Sequence, residues 1–64
     1  MTLNKIYTDE EYMAQGFEGW EVPLIRKHDE LFNKYELEKD NDLTEEEKEE
    51  LINEIYALAK ILKL

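Results

Sequence analysis

The chain has 64 residues, 17 of them Asp or Glu against 8 Lys or Arg, which gives a net charge of -9. A chain this acidic is repelled by nucleic-acid phosphates and anionic headgroups, so direct binding to DNA, RNA or a membrane surface is excluded and the expected partner is a basic protein. The absence of Cys removes disulfides, thiolate metal sites and thiol catalysis. No apolar run reaches the roughly 18 to 20 residues of a membrane span and no signal-peptide pattern opens the chain, so the expected compartment is the cytoplasm.

Residues 2–7 (Thr-Leu-Asn-Lys-Ile-Tyr) are partly strand-like in composition. Thr8 then opens a helix: with Glu11 three residues later it forms a capping box, and Tyr7 and Tyr12 occupy the two positions of a hydrophobic staple. Asp9, Glu10 and Glu11 suit the positive end of the helix dipole, and Gly16 is a natural stop, which predicts a helix of about two turns over residues 9–15.

Residues 16–22 hold both glycines, the single Trp and one of two Phe. The alternation of Trp20 and Val22 with Glu21 predicts an extended connector or short strand, with an optional two-stranded ribbon to residues 3–7. Phe17 and Trp20 are expected to close the open side of the helices as core; the competing reading makes them an exposed aromatic anchor for a partner.

After Pro23 the apolar positions 24, 25, 28, 31, 32 and 35 predict a helix from Leu24 to about Lys39, with Glu30 and Lys34 as an i,i+4 pair on its outer side. Lys39-Asp40-Asn41-Asp42 is a turn by composition. Thr44 and Glu47 form a second capping box, and the apolar positions 51, 52, 55, 56, 58, 59 and 62 predict the longest helix, residues 45–63. Its last turns are apolar almost all round and need cover. The predicted fold is a single all-α domain over residues 1–64: a short N-terminal helix, an extended aromatic connector and a long antiparallel helical hairpin.

Chemistry is sparse. His28 is the only His, with Leu24 and Phe32 where a second helical ligand would stand, so no metal site is expected and His28 is read as the edge of the apolar face. Asp40, Asp42 and Thr44 begin the alternation of a calcium loop, but Glu45 stands where that loop needs Gly and Leu51 where it needs Glu. No phosphate loop or nucleophile elbow is present, the four Tyr (7, 12, 35 and 56) fall on apolar faces, and no cofactor or enzymatic activity is expected.

Charge placement is more informative. Residues 8–21 carry five acids and no base, residues 22–39 four of each, and residues 40–54 eight acids with only Lys48. Glu46, Glu50 and Glu54 recur at i,i+4, about 6 Å apart along one helix edge, similar to the spacing of phosphates in a nucleic-acid strand. With Glu45, Glu47 and Glu49 they are the expected partner-binding face of an inhibitor that occupies a basic nucleic-acid site, a profile common among small phage and mobile-element proteins that block host enzymes. The plainer reading is a solvated helix face.

Folding a 7.7 kDa chain leaves about 4,300 Å² accessible, and the apolar burial, about 100 kcal/mol, roughly equals the ordering cost. That near-zero margin argues for self-association or a bound partner, against a marginally stable monomer; the alternative function is a self-associating helical adaptor, a homodimer or higher bundle joined through Ile55, Leu58, Ile61, Leu62 and Leu64, in which the acids serve solubility.

Overall fold

A computed structural model describes residues 3–64, and among these the fold is three α-helices with no strand: α1 (Asp9–Ala14), α2 (Val22–Glu38) and α3 (Glu45–Leu62). Thr2, the first residue of the strand-like N-terminal segment, lies outside them.

Local signals set the helix ends. The Glu11 amide donates to Thr8 Oγ1 (3.2 Å) and the Thr8 amide to Glu11 Oε1 (3.0 Å), while Tyr7 meets Tyr12 edge-to-face at 5.4 Å, so capping box and staple both form. Gly16, at φ +107°, takes the left-handed conformation that ends α1. At α3 the Thr44 and Glu47 reciprocal bonds repeat the motif, at 3.1 and 3.2 Å. The helix closes when the Leu64 amide donates to the Ala59 carbonyl (2.9 Å) and the Lys63 amide to that of Lys60 (3.3 Å), with Lys63 left-handed at φ 61°.

The connector departs from the expected strand. The Glu18 carbonyl accepts the amides of Glu21 (2.9 Å) and Val22 (3.2 Å), and Glu21 Oε1 takes the Glu18 amide (2.8 Å). These bonds curl residues 18–21 into a turn that runs straight into α2, with Pro23 in its first turn, where no amide is needed. Trp20 and Val22 therefore belong to a turn and a helix start. The ribbon is absent among the described residues for a second reason: the Asn33 side-chain amide engages both backbone polar groups of Asn4, its Oδ1 accepting from the Asn4 amide (2.8 Å) and its Nδ2 donating to the Asn4 carbonyl (2.7 Å). A paired strand would need those groups.

Packing is concentrated at one end. Tyr12, Val22, Ile25 and Leu62 form the buried core, with Tyr7, Phe17 and Leu24 packed around it. Arg26 binds α1 to α2, its guanidinium on the Asp9 carboxylate and 6.0 Å from the Tyr12 ring centroid. α2 packs principally on α3 and less on α1. Between residues 30 and 61 no residue is fully buried. The chain exposes 4762 Å², against about 4,300 Å² for its mass. Its radius of gyration is 12.5 Å, against about 10.7 Å for a compact domain of this length.

Candidate functional site

Each carboxylate of the expected acidic face is solvent-exposed: Glu45, Glu46, Glu47, Glu49, Glu50 and Glu54. Their surroundings differ. Glu45 meets Lys48 Nζ at 3.4 Å. Glu47 is engaged in the capping box, where the Thr44 amide, then its hydroxyl, holds its carboxyl below the usual range, with Lys34 adding to the effect. Lys34 borders one groove with Glu47, Glu50 and Glu54, and Lys27 borders another with Glu54 and Leu58. Lys34 thus serves α3 instead of the expected pair with Glu30, which does not form among the described residues. Among the described residues, Glu46 and Glu49 take part in no ion pair and border neither of these grooves.

The aromatic pair separates. Phe17 packs on the core, its ring 6.2 Å from that of Tyr12. Trp20 is 58 % exposed, its indole N–H donating to Glu18 Oε2 at 2.7 Å. The core reading of Trp20 is corrected: curling the connector into a turn points position 20 outward while position 22 goes in. The expected apolar seam also divides. Leu62 is buried in its own chain's core, Ile55 and Leu58 are half-buried, and Ile61 and Leu64 are exposed. Tyr56, on an apolar face by spacing, is the most exposed large hydrophobic among the described residues, at 69 %.

One constellation escaped the sequence reading. Asp29 is buried, and its carboxylate accepts from Tyr12 Oη–H (2.9 Å) and Asn4 Nδ2 (3.2 Å), with His28 Nδ1 3.2 Å from Oδ1. Burial, above all, raises the Tyr12 hydroxyl, and the bond to Asp29 adds to this. Beside the network is a cavity of about 310 Å³ walled by Tyr7, Tyr12, Phe17, His28, Asp29 and Leu64. The Asn4 and Tyr12 donors, one on each oxygen, make Asp29 an anchor for the N-terminal segment. The signal was there in spacing: Asp29 and Asn33 continue Val22 and Ile25 around one side of α2, polar residues at positions that a buried side would include.

Among the described residues no group of three His, Asp or Glu is placed to hold a metal ion, and no helix is long and apolar enough to cross a membrane. No protein-family model matches the chain, and no curated protein or solved structure matches it.

Proposed function

We propose that the protein is a non-enzymatic binding protein of the cytoplasm that presents the acidic edge of α3 to a basic protein surface of the kind that holds a nucleic-acid backbone. The observation that carries this reading is the exposure of all six carboxylates on a single helix, three of them repeating at about 6 Å. In this reading α2 and α3 form an antiparallel hairpin that stiffens the edge, supported by the neighbours each lysine has: Lys34 beside Glu47 and Glu50, Lys27 beside Ala57 and Leu58. Pre-ordered charge lowers the entropic cost of binding and steers encounter. Glu54 borders both Lys34 and Lys27 and Glu50 borders Lys34 alone, so Glu46 contributes most to recognition, then Glu50.

The test is a charge reversal, Glu46→Lys with Glu50→Lys and Glu54→Lys, used as bait beside the wild type in affinity capture from the native host, with helix content checked by circular dichroism. The wild type should retain a basic protein that is released by salt, and the triple variant should not. Equal retention by both, or retention indifferent to salt, refutes the reading.

A second reading, self-association with the acids serving solubility, is favoured by the exposure of Ile61 and Leu64 at 51 % and 64 %. Leu62 is engaged within the chain, so the seam on that side is narrower than spacing alone suggests.

A further inference from the structure

We propose that the chain forms an antiparallel two-fold dimer through a different side of α3, a self-complementary stripe made of Glu45, Glu49, Ile52, Tyr56, Ala59 and Lys63. These positions are spaced 4, 3, 4, 3 and 4 residues apart, the repeat of a helix seam that meets another helix. The stripe changes character along its length: two acids at its start, apolar residues in its middle, bases at its end, where Lys60 stands beside Ala59. Glu45, Glu49, Tyr56, Lys60 and Lys63 are exposed, and Ile52 and Ala59 are half-buried at the border with α2.

That order of signs selects the occupant. A two-fold interface requires that if residue i of one copy meets residue j of the other, j also meets i. Antiparallel pairing centred on residue 54 meets the condition throughout: position 45 faces 63, acid on base; 49 faces 59 and its neighbour Lys60, again acid against base; and 52 faces 56, apolar on aromatic. Parallel pairing would set Glu45 on Glu45 and Glu49 on Glu49, which repel. A uniformly basic helix would match the acids but meet like charge at Lys60 and Lys63. A second copy of this chain brings acid towards base at both ends of the stripe and apolar against aromatic in its middle.

Two further observations support the same face. Beside the stripe lies a groove of about 210 Å³ lined by Phe32, Tyr35, Glu36, Ile52, Ile55 and Tyr56, more than the ~150 Å³ that admits a benzene-sized ring. A partner's Tyr56 can enter it and cover Ile52. Charges beside the groove and at the start of the stripe are partly offset: Lys39 Nζ meets Glu36 at 3.2 Å and stands 5.7 Å from the Tyr35 ring centroid, and Lys48 meets Glu45. A chain of net charge -9 can approach its copy most readily where its own lysines already offset its acids. The ion pairs set direction and register, and the apolar middle supplies affinity. Glu46, Glu50 and Glu54 lie roughly 100° or more round the helix from the centre of the stripe. The dimer therefore takes up Glu45 and Glu49 but leaves Glu46, Glu50 and Glu54 free, and the inference holds whether or not those three have a partner.

The experiment is sedimentation equilibrium of the full chain across micromolar concentrations, with helix content followed by circular dichroism. The wild type should tend toward twice the 7.7 kDa chain mass, and Tyr56→Glu, at an exposed position, should sediment as a single chain. Two charge variants then test the register: Glu45→Lys with Glu49→Lys makes the stripe ends wholly basic, and Lys60→Glu with Lys63→Glu makes them wholly acidic. Each alone should stay monomeric, and an equimolar mixture should recover the doubled mass. A monomeric wild type overturns the proposal. So does a Tyr56→Glu protein that associates like the wild type, a pair of charge variants that each dimerise unaided, or a mixture that remains monomeric.

Discussion

The two ends of the α2–α3 pair are built differently. At one end Tyr12, Val22, Ile25, Asp29 and Leu62 are buried, α1 and the N-terminal segment cover α2, and the Asp29 carboxylate has three side chains around it. At the other, Phe32, Tyr35, Ile52 and Ile55 are half-buried, Leu37 and Tyr56 are exposed, and among the described residues no third helix covers the pair. A 64-residue chain has enough apolar surface to close one end, and spends its short helix and its strap there. The open end is held by local devices, the Thr44 cap and a turn in which the Glu38 carbonyl accepts from Asn41, Asp42 and Leu43. Its aromatic surface is left for another molecule.

The sharpest way to break this contrast is to truncate one tyrosine from each end. Tyr12→Ala removes a ring that is 1 % exposed and should cost about 3–5 kcal/mol in urea unfolding. Tyr56→Ala, measured in dilute solution where the chain is single, should cost less than about 0.5 kcal/mol. Comparable losses would mean that the open end is closed in solution.

Asp29→Ala comes next, with an expected loss of about 2–3 kcal/mol, because the Tyr12 hydroxyl and the Asn4 amide lose their charged acceptor inside the protein. Amide exchange should show residues 4–8 released from α2. A loss below about 0.5 kcal/mol would make the network incidental to the closed end.

A smaller effect than at Asp29 belongs to the cap that starts the open end's helix. Thr44→Ala should cost about 1 kcal/mol. The Glu47 carboxyl, held low chiefly by the Thr44 amide, contributes stability that is full above the ordinary carboxylate value of about 4.3 and is lost as pH falls through its lower folded value. The difference in denaturation midpoint between wild type and Glu47→Gln should therefore narrow on acidification and vanish below that value. A difference constant across the acid titration would remove Glu47 from the account.

How much of this was legible in the chain depends on the range of the interactions involved. Both capping boxes, the Tyr7–Tyr12 staple and the Gly16 stop join residues within five positions of each other, and α1, α2 and α3 begin and end within two residues of where spacing places them. The connector was misread because Trp20, Glu21 and Val22 alternate like a strand, while the bonds that curl it centre on the Glu18 carbonyl, which composition does not reveal. The acidic edge was legible because charge on one side of a helix follows from periodicity alone. That Lys34 and Lys27 shade part of it was not, since both come from another helix.

The amino-acid order alone therefore settles three helices, their caps and the placement of charge, all consequences of backbone bonding and side-chain spacing within a few residues. Tertiary structure decided which polar residues go inside and which apolar ones stay out. Asp29 is buried because Tyr12, 17 positions earlier, and Asn4, 25 earlier, bring it hydrogen bonds. Tyr56 stays exposed because the short first helix reaches only the far end of α2. Burial depends on what arrives from elsewhere in the chain, and in a chain this short too little arrives to cover both ends.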